Sequence, residues 1–150
     1  MNNKILKIIF VLCCLISTAH AKKDMFGFGS NDNSVSSSDM EKALVNMTRT
    51  MNKDMPRDIS AYKQLKTTTA GPGLRFTYIF ILTKNTSGDT GKEDIANYLQ
   101  QEEQSVKSSF CSNPKTIFFV KNGVTANYEY YLSDGIYMGD FNVTPKDCGY

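Results

Sequence analysis

Hydrolytic chemistry on a protein side chain needs a nucleophile with a base beside it, and the commonest base is histidine. This chain of 150 residues has one histidine. It is His20, and it lies in a stretch that reads as an export signal. Lys4 and Lys7 give that stretch a positive start, Ile8 to Ile16 a short apolar core, and Ala19-His20-Ala21 an A-x-A site, so cleavage is expected between Ala21 and Lys22. The apolar core is too short to span a bilayer as a helix. The expected mature chain therefore holds no histidine, and Ser-His and Cys-His pairs drop out. The same cut removes Cys13 and Cys14 and leaves Cys111 and Cys148. In an oxidising compartment an even pair favours a disulfide, with two free buried thiols as the alternative. Such a bridge would close a loop of about 37 residues and contribute about 3–4 kcal/mol in the chain-entropy picture. Bridged cysteines leave no thiolate for catalysis or zinc. Cys13 and Cys14 also raise a lipid anchor, but Phe10-Val11-Leu12 and Val11-Leu12-Cys13 lack the small residues that lipoprotein processing requires, so ordinary cleavage is expected.

The remaining polar residues do not converge on a reaction. Asp89, Glu93 and Asp94 cluster where a helix begins, a position its dipole favours for carboxylates without any metal. Gly27 and Gly29 lie in an irregular segment, and Gly71 and Gly73 flank Pro72 in a turn, so no phosphate loop is formed. Without Lys4 and Lys7 the basic and acidic residues balance, and they are interspersed, so no nucleic-acid partner is implied. No spacing singles out a Ser-Lys pair. The expectation is a protein without cofactor or catalytic site, a binding or assembly module. A hydrolase with an unusual Ser-Lys or carboxylate site is the more distant option. The positive hint is aromatic: Tyr128, Tyr130 and Tyr131 form a candidate interface, with Tyr137 and Tyr150 nearby in sequence. Tyrosine suits interfaces, and it suits half-buried strands as well.

The elements that would position these residues can be read from the pattern. Residues 22–37 are rich in Gly, Ser, Asn and Asp and predict a flexible arm, with Met25, Phe26 and Phe28 its large apolar residues. Ser38 and Glu41 form a capping box for a helix whose Met40, Ala43, Leu44, Met47 and Met51 make one apolar stripe, ending near Met55 before Pro56. An extended segment follows from Ile59 to the Thr67-Thr68-Thr69 run. After Gly71-Pro72-Gly73 comes LRFTYIFILT, with Phe76, Tyr78, Phe80 and Leu82 on one face and Arg75, Thr77, Ile79 and Ile81 on the other. Both faces are partly apolar, which predicts a central strand whose second face needs cover from a helix or a partner. Thr90 and Glu93 open a second helix with Ile95, Tyr98, Leu99 and Val106 inward and Glu102 tilted from the stripe into solvent. Three strands are then predicted, TIFFVK, VTANYEYYL and IYMGDFNV, with hairpin turns at Asn122-Gly123 and Asp134-Gly135. The reading is one α+β domain over 38–150, about five antiparallel strands with two helices in the order α-β-β-α-β-β-β.

Several of these features recur together elsewhere. A helix runs into a proline-containing segment and two strands. A second helix ends in Cys-x-x-Pro, here Cys111-Ser-Asn-Pro114. Gly123 marks a turn, tyrosine-bearing strands follow, and Cys148-Gly149 closes the domain. In this layout the chain from Met47 to Gly149 resembles the small α/β pilotins of type II secretion systems, the class with a disulfide-bonded sheet domain. Pilotins of that class bind a C-terminal segment of the secretin and help its ring reach or assemble in the outer membrane, typically as lipoproteins. The resemblance implies the fold and a secretin segment as partner, and it transfers no contact residue. The ordinary signal departs from the lipoprotein pattern. The combined expectation is an exported, periplasmic or secreted protein-binding module of the envelope, without stable membrane insertion. The alternative is a periplasmic inhibitor or immunity protein that blocks an exported enzyme or toxin.

Overall fold

The computed structural model describes residues 35–150. The expected export signal, the expected cleavage site between Ala21 and Lys22, Cys13, Cys14 and the expected arm up to residue 34 lie outside the described residues.

Helix α1 spans Ser37–Met51, capped by Ser36, whose Oγ accepts from the Asp39 backbone N–H at 3.2 Å and donates to the Asp39 carboxylate at 2.7 Å. The sequence pattern places this cap at Ser38. Three consecutive serines offer the same hydroxyl, and the flanking residues decide between them. With Ser36 as cap, Val35 and Met40 occupy the positions of a hydrophobic staple, and both join one core cluster. A cap at Ser38 would put Ser37 and Lys42 there instead. After α1 a short 3-10 turn, Asn52–Asp54, leads toward the sheet. Asn52 latches the turn to the sheet: its Nδ2 donates to the Thr68 carbonyl at 2.8 Å, and its Oδ1 accepts from the Thr68 backbone N–H at 2.8 Å.

The sheet has five strands in sequence order: β1 Arg57–Ser60, β2 Lys63–Gly71, β3 Arg75–Leu82, β4 Thr125–Leu132 and β5 Tyr137–Val143. The segment expected as one strand from Ile59 is two, reversing between Ser60 and Lys63 without glycine or proline. Neighbouring strands pair antiparallel except β3 and β4, which pair parallel from Arg75↔Thr125 to Leu82↔Leu132. The sheet is thus mostly antiparallel, with one parallel pair at its centre. A parallel pair needs a crossover, and here two helices supply it: α2, Lys92–Ser112, and α3, Pro114–Lys121.

Helix α3 is the segment TIFFVK, expected as a strand. A short apolar run carries no period that separates strand from helix, and the ends settle it. Asn113 caps the start, its Oδ1 accepting from the Lys115 backbone N–H at 2.9 Å, and Pro114 sits at the first helical position. Asn122 donates its backbone N–H to carbonyls of the last turn, and Gly123 takes the left-handed conformation at φ 85°. The Asn-Gly pair that reads as a hairpin is the stop signal of this helix. The second helix also starts one residue later than Thr90 predicts, with Gly91 as cap and Asp94 accepting from its backbone N–H at 3.2 Å.

Among the described residues, all three helices lie against one face of the sheet. Its core holds Leu65, Phe80, Phe110, Val120, Ala126, Tyr128, Tyr130, Phe141 and Val143, and an adjoining cluster holds Met40, Leu44, Phe76 and Val124. The Cys111–Cys148 disulfide is formed, and it ties the end of α2 to the 3-10 turn Lys146–Cys148 that follows β5.

Candidate functional site

Alternation along β3 and β4 puts one set of side chains into the core and sends the other to the opposite face. Register then aligns that second set. Thr77 lies beside Asn127, Ile79 beside Glu129 and Ile81 beside Tyr131. On one side the rows extend to Thr69, Thr67 and Gln64 of β2, and on the other to Asn142, Asp140 and Tyr137 of β5. None of these residues belongs to either core cluster, and no helix among the described residues packs on them. The apolar second face expected for β3 is therefore present, and the described part of the chain leaves it open.

A bulge shapes the site. Tyr130 pairs with Gly139 and Tyr131 with Tyr137, so Met138 is extra in β5. Counting by twos from Phe141 would send Tyr137 to the core; the extra residue turns it outward, where it is 50 % exposed. Its ring meets Tyr131 at 5.4 Å between centroids. Gly139, at φ 144°, makes room for Leu99 of α2 on the other side. The apolar character continues over the lower rim of the sheet, where Ile136 and Tyr62 are 52 % and 46 % exposed.

The centre of the face is polar and short of donors. Asn127 donates from Nδ2 to Glu129 at 3.0 Å, and Tyr131 donates its hydroxyl to Glu129 at 3.4 Å. The Tyr137 hydroxyl donates to Asp140. Burial, then the charge of Glu129, raises the pKa of Tyr131; the hydrogen bond to Asp140 is the main cause that lifts Tyr137 to about 12. Both hydroxyls are thus held as donors at neutral pH. Glu129 and Asp140 face each other directly across β4 and β5, and neither makes an ion pair among the described residues.

Of the three tyrosines singled out from sequence, only Tyr131 stands on this face. Tyr128 and Tyr130 are buried, 8 % and 0 % exposed, and stack on Phe141 with centroid distances of 5.3 and 5.8 Å. They cannot form an exposed interface, because strand alternation points them under the helices. Tyr130 serves a second network. Its hydroxyl donates to Glu102 at 3.0 Å, and Lys63 Nζ lies 2.7 Å from the same carboxylate. Glu102 is thus no solvated side chain: it joins α2 to β2 and β4 from a half-buried position. Burial, with Glu102 next, pushes the Tyr130 pKa far up. Among the described residues no group of three potential ligands could hold a metal ion, and no helix is long and apolar enough to cross a membrane.

Asn127, Glu129, Asp140, Ile79 and Ile81 make up the part of the site that tyrosine content did not reveal. The alternation Asn127-Glu129-Tyr131 against Ala126-Tyr128-Tyr130 was the available signal for β4. The partnership of Glu129 with Asp140 needs the register of β5, which the bulge hides from sequence.

Comparison with known proteins places the fold. No family model matches the chain, and no curated protein does. Three solved structures share the architecture. A protein of Pseudomonas aeruginosa described as secreted superposes with a TM-score of 0.62 at 14% identity, over 74% of this chain and 94% of its own. The type II secretion system pilotin AspS of Vibrio cholerae gives 0.55 at 20% identity over 74% and 94%. EpsS, the type II secretion pilotin of Vibrio vulnificus, gives 0.59 at 15% identity over 75% and 94%. The fold-level resemblance read from Cys111-x-x-Pro114 and Cys148-Gly149 holds. At these identities it is the fold that is shared.

Proposed function

We propose that the protein is an exported, non-enzymatic binding module of the cell envelope, pilotin-like, which holds a segment of another protein on the open face of its sheet. The observation that carries this reading is that face. Ile79, Ile81, Tyr131 and Tyr137 sit together on the side of the sheet that no described helix covers. Core strands without cover on one face and apolar side chains on it are the mark of an interaction surface. The fold shared with two type II secretion pilotins and with a protein described as secreted supports an envelope setting and makes a secretin segment the first partner to test. A binding role also fits a site built from hydrophobic bodies, hydroxyls and carboxylates without a nucleophile-base pair.

The test is calorimetric titration of the protein with a synthetic peptide of the C-terminal segment of a secretin from the same genome. Binding is expected, with loss in Ile81→Asp and in Tyr131→Asp. Absence of binding would overturn the secretin segment as partner, and binding indifferent to both substitutions would overturn the sheet face as the site.

A further inference from the structure

At the centre of the open face, acceptors outnumber donors. Glu129 and Asp140 stand opposite each other in the β4–β5 register, an arrangement of like charges that costs stability in a sheet. Asn127, 6 % exposed, lies beside them and spends its Nδ2 on Glu129, while its Oδ1 is shut off from solvent and has no hydrogen-bond partner among the described residues. Two facing carboxylates that no cation among the described residues pairs with present negative charge to whatever lies on this face, and a basic group there would be the complementary one. The tyrosines complete the frame. Tyr131 and Tyr137 donate to the two carboxylates, and their paired rings border the same spot. A cation set against tyrosine rings and carboxylates gains from both.

We propose that Glu129 and Asp140, with Tyr131 and Tyr137, form a pocket for a basic side chain, arginine by preference, carried by the protein segment that lies on this face. The inference rests on the sheet-face reading above and adds the chemistry of the partner. Arginine fits better than lysine because its planar fork can meet two carboxylates at once and stack on a tyrosine. Ile79 and Ile81, next to Glu129 and Tyr131 in register, take apolar side chains flanking the basic one. The partner segment is therefore apolar with a basic residue inside it.

The experiment is selection of a displayed random-peptide library on the purified protein, followed by fluorescence anisotropy with the synthesised winners. Peptides that Ile81→Asp abolishes are the sheet-face binders. They are expected to share an arginine or lysine among apolar residues. Changing that residue to glutamine should weaken binding roughly tenfold, equivalent to about 1.4 kcal/mol. The isosteric double variant Glu129→Gln/Asp140→Asn should weaken the parent peptide by a like factor and leave the glutamine peptide unchanged. Sheet-face binders without a basic residue, or basic ones indifferent to the double variant, would overturn the pocket and leave the sheet-face reading standing. A selection that yields no sheet-face binder would overturn both. Failure of the secretin peptide alone, with these winners still binding, would remove only the assignment of partner.

Discussion

At the scale of single residues, charge in this molecule is placed in two contrasting ways. Glu102 is fully engaged, with Lys63 at 2.7 Å and the Tyr130 hydroxyl at 3.0 Å, and the two charged side chains are only 12% and 21% exposed. Removing one partner of such a pair strands the other, which costs more than the pair contributes. Glu102→Ala is expected to lower stability by about 2–3 kcal/mol and Tyr130→Phe by about 1 kcal/mol, measured by urea unfolding. Equal small losses would show that water replaces the carboxylate at Lys63. Asp147 is held differently, by the Thr144 hydroxyl and backbone N–H and by Lys107 at 3.0 Å, and these partners draw its pKa down from 3.8 to about 2. A depressed carboxylate stabilises the fold fully above its ordinary value and ceases to do so as pH falls through the folded one. The C-terminal turn should therefore loosen between about pH 4 and pH 2. Asp147→Asn should flatten that part of the stability profile, as followed by thermal melts across the acid range.

At the scale of elements, short-range chemistry outweighs pattern wherever the pattern is ambiguous. The run TIFFVK has strand composition, yet Asn113 and Pro114 start a helix and Gly123 ends one. Asn113→Ala should cost about 1 kcal/mol in chemical unfolding, the usual loss of a cap. A substitution without effect there would mean that packing alone holds α3. The β4–β5 bulge is the second case. At Gly139 an added Cβ would approach Leu99 Cδ1 to 2.7 Å at a φ of 144°. Gly139→Ala is expected to destabilise by about 1–3 kcal/mol and to disturb the Tyr131–Tyr137 contact, seen as changed aromatic shifts by NMR. These two places also mark how far the sequence could be read. The α+β class, α1, α2 and the doubly apolar β3 follow from periodicity, because each is long and regular. The β1–β2 reversal carries no glycine or proline, α3 is too short for a period, and the bulge changes parity without a residue type that announces it. The candidate site inherits that limit. Ile79 and Ile81 are legible from β3 alone, whereas the Glu129–Asp140 pair exists only through the register that the bulge sets.

At the scale of the whole molecule, the disulfide and the parallel pair solve one problem together. Strands β3 and β4 are adjacent in space but separated in sequence by two helices, so their pairing closes a long loop before any hydrogen bond rewards it. Cys111 sits at the end of α2 within that crossover, and Cys148 lies beyond β5, so the bridge encloses α3, β4 and β5. Cross-linking across a separation of 37 residues restricts the unfolded chain where the native topology is hardest to reach. In the chain-entropy picture the bridge stabilises by about 3–4 kcal/mol, and its loss should lower the melting temperature by about 10–20 °C in a domain of this size. The double variant Cys111→Ser/Cys148→Ser tests this by thermal unfolding. Because the bridge lies on the helix side of the sheet and the open face contains neither cysteine, the same variant should bind sheet-face peptides with unchanged affinity well below its melting point. An unchanged melting temperature would place the stability of the crossover in the α2–β5 packing instead. Lost binding in a variant that still melts cooperatively would show that the bridge sets the β4–β5 register, and with it the spacing of Glu129 and Asp140.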